Sequence, residues 1–439
     1  MKETPIDSSI VEEKIKGSGL SSIGRSSIRE IRTLINEIEQ ASGKKFIRME
    51  MGIPGLPAAQ IGIDAEKKAL DGGCASFYPS IEGIPELKVE ISRLIKLFVD
   101  LDVAPGGCIP CTGSTSGSMI TFLTAGRMNP DKDTVLFLDP GFPVHKQQCN
   151  VLGIKHRSLD VYNFRGEKLR ARLEEILSEG NISCILYSNP NNPTWICFTH
   201  TELEIIGEMA TKYDAVVVED LAYFTMDFRK DYSIPGRPPF QPSVGKYTDN
   251  YILLISSSKA FSYAGQRIGM LAVSDALFDR EVPGLTRYFT QKTFGRAMIY
   301  GAAYAQSAGV THSTQYGLAA LLKATNDATY RFIDEVKVYG ERAKVMKKNF
   351  TDNGFYIVYD KDEDNPIADG FYFTVAYPGM DGVQLIEELL YYGISAISLA
   401  NTGSERIEGI RACVSLVSEE QLPELRHRLE VFRENHPVN

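Results

Sequence analysis

Two periodicities alternate along this chain. Short runs of consecutive apolar residues are separated by stretches in which apolar residues recur every three or four positions. Ile28, Ile31, Ile35 and Ile38 mark a first helix within 26–38, and an amphipathic helix is predicted over Pro85–Val99. Residues 1–20 read as polar and peripheral. The runs at 134–138, 182–187, 215–219 and 251–256 are apolar almost throughout, the pattern of strands buried on both faces of a parallel sheet. Thr201-Glu202-Leu203-Glu204 predicts a capping box for the helix between two of these strands. Residues 236–250 form a proline-rich insertion. From about Ala328 a long amphipathic helix is expected to reach Phe350. The pattern then changes to an alternating strand at 371–375, a helix at 383–391, a strand at 410–416 and a last helix capped by 418–421. The expected fold class is α/β, with a mostly parallel sheet sandwiched by helices and a smaller α+β domain. At 439 residues the chain is too long for one core.

Chemistry-bearing residues gather just after the predicted strands, where open α/β sheets bind ligands. The run 251–255 leads into Ser256-Ser257-Ser258-Lys259-Ala260-Phe261 and on to Gly265-Gln266-Arg267-Ile268-Gly269. Burial and a nearby guanidinium favour the neutral amine of Lys259, which is then nucleophilic. The hydroxyls and Arg267 suit phosphate oxygens. Together they point to a phosphorylated aldehyde held as a Schiff base, although a surface lysine and a structural arginine would share the pattern. Thr112-Gly113-Ser114-Thr115-Ser116-Gly117-Ser118 opens a helix and reads on its own as simple capping, with an anion site as the alternative. Asn189-Pro190-Asn191-Asn192-Pro193-Thr194 ends another strand, and Asp220, followed by Tyr223, ends a third. The glycine- and proline-rich loop at 52–57 and the turn at 77–83 are either plain turns or loops near a ligand.

Composition narrows the possibilities. A net charge of −9 gives no basic face for nucleic acid, and no apolar run reaches membrane-spanning length, so neither partner is expected. The N-terminus lacks the apolar core of a signal peptide. Seven scattered cysteines argue against a disulfide framework and fit a reducing, cytoplasmic setting. The Cys108-Ile109-Pro110-Cys111 pair lacks the further ligands of a zinc site, and no metal is expected.

The segments 189–194, 220–223, 256–269 and 409–411, in that order along the chain, resemble the fold type I pyridoxal-phosphate (PLP) aminotransferases of class I/II. The resemblance implies a PLP cofactor, with a large PLP-binding domain at 71–330 and a small domain formed by 20–70 with 331–439. It implies that Lys259 forms the aldimine and moves a proton, and that Asp220 pairs with the pyridine nitrogen. Asn192 and Tyr223 would bond the ring oxygen, and Phe142 would stack on the ring. His145 matches a residue that supports the aspartate in some members, with plain packing as the alternative. Ser114, Thr115, Ser116, Ser256 and Arg267 would hold the phosphate. Tyr78 would reach the neighbouring subunit's phosphate, which implies a homodimer with shared active sites. Arg411 would grip the substrate α-carboxylate, with Asn192 beside it, and Gly52 would lie on the loop that closes over substrate. The reaction implied moves an amino group from an amino acid to a 2-oxo acid, 2-oxoglutarate being the common acceptor. The chain departs from the family pattern at Trp195, its one tryptophan, where glycine is usual. Arg296 lies near the place of a second, cross-subunit arginine in some members.

Another PLP reaction on the same scaffold, such as β-elimination or decarboxylation, would use the same residues. A ligand-sensing regulator would need a DNA-binding module, for which the residues before Gly52 are too few. A dinucleotide-dependent dehydrogenase would need a Gly-x-Gly-x-x-Gly turn that is absent here.

Overall fold

The computed structural model describes residues 3–438 and divides into two compact units. The larger comprises Leu56–Asn191 and Cys197–Val336. Its centre is a seven-stranded sheet in the order Cys108–Cys111, Gly269–Val273, Tyr251–Ser256, Val216–Leu221, Ile182–Ser188, Thr134–Asp139 and Lys155–Asp160. The last five are mutually parallel, and Gly269–Val273 runs antiparallel to both of its neighbours. Every residue of Thr134–Asp139, Ile182–Ser188, Val216–Leu221 and Tyr251–Ser256 is buried, as their unbroken apolar runs require. Each fully buried Val, Leu or Ile contributes roughly 1.5–3 kcal/mol. Helix Ser114–Ala125 and the segment around Phe294–Ala297 pack on one sheet face, joining Ile109, Phe122, Phe137, Leu186, Val218 and Leu254 in one core.

The strand Gly269–Val273 lies hidden in the sequence behind a glycine-flanked arginine. The capping box also differs from expectation. Thr199, not Thr201, caps helix His200–Lys212, and Glu202 closes the box. The same carboxylate accepts Arg165 Nε at 2.6 Å and Gly166 N at 2.9 Å, which fixes the earlier start. The insertion at 236–250 is tied to the sheet at Glu219, whose Oε2 accepts Ser243 Oγ at 2.5 Å and Val244 N at 3.1 Å. Burial pushes this carboxyl up to about 7.

The smaller unit comprises Met1–Gly55, Asn192–Ile196 and Lys337–Asn439. It holds a four-stranded antiparallel sheet, ordered Ile397–Ser398, Ile410–Cys413, Tyr372–Ala376 and Tyr356–Ile357. A second, parallel pair joins Ile47–Arg48 to Ile394–Ser395. Helices Ile28–Ser42, Val338–Thr351, Gly382–Tyr391 and Leu422–Asn435 complete it. The expected long helix from Ala328 starts late, because Ala328 takes φ +57 and the chain turns before Ile333–Val336 and Val338–Thr351. Residues 1–20 are not merely peripheral: Asp7 caps helix Ser8–Ser18, and Ile6 and Val11 are fully buried. Residues 56–70, grouped with the small domain in the sequence reading, fall in the larger unit. Helix Gln60–Asp71 packs there on His312–Asn326, with Gly62 pressed against Leu321 and Tyr263.

Candidate active site

In the larger unit, the residues singled out from sequence come off neighbouring strands. Val216–Leu221 pairs in parallel with Tyr251–Ser256, Asp220 opposite Leu254, so Asp220 and Lys259 follow adjacent strand ends. Lys259 is half-buried on the single turn Ser257–Ala260, and its carbonyl accepts Ser262 N at 3.2 Å. Asp220 is buried. Its Oδ1 accepts Ala222 N at 3.1 Å, and its Oδ2 lies 4.0 Å from His145 Nε2. Burial raises this carboxyl to about 7, against the opposing pull of the Ala222 N–H. His145 is no counter-ion, since burial, assisted by Lys146, lowers it to about 4. Its ring stands edge-on to Phe142, with centroids 5.6 Å apart, and to Phe122 at 6.3 Å. Tyr223 is buried three residues beyond Asp220.

The hydroxyl loop and the arginine loop converge on one corner of this unit. Gly113 precedes helix Ser114–Ala125 at φ +71 and offers no side-chain cap, so the first turn keeps backbone donors for another acceptor. A Cβ on Gly113 would stand 2.6 Å from Arg267 Nη2, and one on Gly269 would stand 2.8 Å from Ser114 N. Only glycine lets these backbones and the guanidinium come so close. Arg267 is exposed, takes φ +50 and donates from Nη1 to Ala264 O at 3.0 Å. Ser256 Oγ accepts Ser258 N at 3.1 Å. Two residues not singled out in the sequence brace the loop: Gln148 Nε2 donates to Thr115 O at 2.6 Å, and Gln306 bonds Ser116 Oγ. Nothing in a single sequence marks either glutamine.

The smaller unit carries the second cluster. Arg411, on strand Ile410–Cys413, is 3 % exposed. Its Nη1 donates to Asn192 Oδ1 at 3.2 Å and its Nη2 to Glu50 O at 2.7 Å. Its guanidinium lies 4.5 Å from the centroid of the Tyr372 ring. Among the described residues no carboxylate reaches ion-pair distance of it, and its buried Nε has no hydrogen-bond partner. The nearby Glu50 carboxylate is engaged instead by Arg48 Nε at 2.9 Å and by Ser395 Oγ. A buried charge without a counter-ion is costly unless a ligand supplies one. Gly52 has no room for a side chain, since its Cβ would stand 2.1 Å from the Tyr372 hydroxyl.

Trp195 keeps the backbone that glycine favours, at φ +68, a cost of about 1–2 kcal/mol for a residue with a Cβ. Its indole is fully buried, and a Cβ on Gly370 would overlap it at 1.8 Å. Its ring meets Tyr372 at 6.4 Å and 68°. Glu50 and Tyr372 escaped the sequence reading; the only trace of Tyr372 was its place in an alternating strand.

The other residues fall apart from these clusters. Tyr78 is 94 % exposed on its loop beside exposed Phe77. Arg296 is exposed on the short helix Phe294–Ala297. Cys108 and Cys111 are buried in a strand, and burial pushes both thiols up to about 12, which leaves them unreactive. No helix is long and apolar enough to cross a membrane among the described residues.

A family model described as "Aminotransferase class I and II" matches residues 47–429. A Methanocaldococcus jannaschii protein named "Probable aspartate aminotransferase" is 28% identical over 337 residues, covering 75% of this chain and 82% of its own. A second protein of that organism, named "(5-formylfuran-3-yl)methyl phosphate transaminase", is 26% identical over 370 residues, covering 83% and 84%. The solved structure of alanine aminotransferase from Pyrococcus furiosus superposes with a TM-score of 0.74 at 20% identity, covering 95% of this chain and 99% of that one.

Proposed function

The chain belongs to the class I and II aminotransferase family and is a PLP-dependent transaminase, and on that premise we propose a role for each residue of the two clusters. When bound, PLP supplies an electron-withdrawing ring that stabilises negative charge at the substrate α-carbon. The corner formed by Gly113, Ser114, Gly269 and Arg267 fits a phosphate, since two absent Cβ atoms leave helix N–H groups and a guanidinium close together. Ser114, Thr115, Ser116, Ser256 and Arg267 hold that phosphate. The observation that carries the reading is Asp220, a buried carboxylate raised to about 7 beside a neutral histidine. Asp220 would face the ring nitrogen and, as the carboxylate, would keep it protonated. His145 fixes the carboxylate's orientation. Phe142 covers a ring face, while Tyr223 and Asn192 donate toward the ring oxygen. The Lys259 amine would hold the cofactor's carbonyl carbon and, once displaced by the substrate amine, would move the proton at the substrate α-carbon.

Arg411 binds the α-carboxylate of the amino acid and of the 2-oxo acid through paired N–H donors. Its buried, uncompensated charge supports this role, with Gly52 on the loop that covers the substrate. We further propose 2-oxoglutarate as acceptor, a homodimer in which Tyr78 reaches the partner's phosphate, and a cytoplasmic setting consistent with seven free cysteines. The division into a large cofactor-binding domain and a small substrate-binding domain is part of the same proposal. Lys259→Ala tests the centre of this reading. The visible absorbance of the loaded enzyme is expected to lose its covalent band, and transamination to fall by about 10⁴ or more. Half-transamination surviving in that variant would overturn the assignment.

A further inference from the structure

Arg411 is held by one amide oxygen, one backbone carbonyl and one aromatic face, with no carboxylate among them. Hydrogen bonds to Asn192 and Glu50 hold two nitrogens, and the remaining contact is the face of the Tyr372 ring, over which the guanidinium carbon lies. The opposite constraint on Tyr372 comes from Trp195, whose indole packs edge-on to it. Trp195 is itself closely confined. It is fully buried, its backbone sits in the left-handed region, and Gly370 leaves the space its ring fills. The chain therefore accepts a strained backbone in order to place a large ring behind Tyr372 at a position where glycine is usual in the family.

We propose that Trp195 is a positioning residue for substrate binding: through Tyr372 it fixes the plane of the Arg411 guanidinium and so sets the affinity for the α-carboxylate of both substrates. The proposal rests on the reading of Arg411 as the carboxylate-binding residue. A carboxylate bound equally in ground and transition states affects KM and leaves kcat nearly constant. Loss of the indole is therefore expected to act on KM for the amino acid and the 2-oxo acid together, which a general loss of packing would not do.

The test uses the holoenzyme. Trp195→Gly keeps the backbone conformation and removes the ring. It should raise KM for both substrates about tenfold, the scale of a desolvated cation–π contact, with kcat changed less than about twofold. Tyr372→Leu should do the same, and Trp195→Phe should fall between Trp195→Gly and the natural enzyme. In Arg411→Gln, adding Trp195→Gly should raise KM by less than about twofold more, because the two act through one contact. Since Trp195 is the only tryptophan, its emission should change saturably as sodium acetate is added, and sodium chloride at equal ionic strength should not reproduce the change. That response should vanish in Arg411→Gln.

If Arg411→Gln raises KM while Trp195→Gly, Trp195→Phe and Tyr372→Leu leave it unchanged, Arg411 binds the carboxylate and the proposal is wrong. If Arg411→Gln itself leaves KM unchanged, the reading of Arg411 fails first. Should Trp195→Gly not fold, Trp195→Phe, Tyr372→Leu and the acetate titration decide the matter. An emission insensitive to acetate together with an unchanged KM in Trp195→Phe and Tyr372→Leu would overturn it.

Discussion

At the candidate site each unit buries a charge with no opposite charge beside it among the described residues, and the two solve the problem differently. In the larger unit Asp220 has a backbone N–H and a neutral histidine, and its carboxyl is raised to about 7. In the smaller unit the Arg411 guanidinium is surrounded by dipoles and a ring face instead. A carboxylate can wait for its counter-ion in the neutral form. A guanidinium must be solvated by the protein at all times, so its site needs more parts, and those parts come from further apart in the sequence.

Substitutions at these two charges should break or sharpen the contrast. Asp220→Asn keeps the shape and removes the charge proposed to pair with the cofactor ring; kcat should fall by about a hundred- to a thousandfold, as for other lost electrostatic partners of developing charge. A loss below tenfold would mean that Asp220 does not act on the ring. Arg411→Lys keeps the charge but loses the planar pair of donors and the guanidinium's contact with the Tyr372 ring. KM for both substrates should rise roughly ten- to a hundredfold in steady-state kinetics with kcat little altered.

The pH dependence of stability separates the two charges further. The Asp220 carboxyl moves from 3.8 to about 7 on folding, so the folded state binds its proton more tightly. Its contribution is complete below about 4 and is lost as pH rises to about 7. Denaturant titrations of the cofactor-free protein should show that Asp220→Asn flattens this decline by about 3 kcal/mol across that window. The flattening is partial, because Glu219, raised to about 7, and Asp139, raised to about 6, slope the same way. Arg411→Lys should leave the slope as it is. The smallest effect is at Gly370, where the Cβ of Gly370→Ala would overlap the indole. Overpacking there should cost about 1–2 kcal/mol in urea denaturation.

The larger unit's cluster was legible because each part sits in a short segment directly after an apolar strand. Asp220, Lys259, Arg267 and the hydroxyl loop could be read one at a time, and the alternation of strands and helices said they would meet at one end of a sheet. The smaller unit's cluster was legible only at Arg411, Asn192 and Gly52. Glu50 acts through its carbonyl, which no side-chain pattern announces, and Tyr372 looks like any inward strand residue. Trp195 stood out as a departure, but its backbone angle and its neighbour Gly370 belong to tertiary packing. Helix Ser8–Ser18 was overlooked because Val11 is its one buried residue. The capping box was misplaced because Thr199 and Thr201 each precede a glutamate by three positions, and the choice depended on the distant Arg165.

Because Gly269–Val273 runs back against Tyr251–Ser256, the turn at 257–268 leaves and re-enters the sheet at the same end. One uninterrupted stretch of a dozen residues thus carries both Lys259 and Arg267. It behaves as a cassette: a graft of that stretch would carry both groups in register, whereas a single-residue insertion within it would displace one relative to the other.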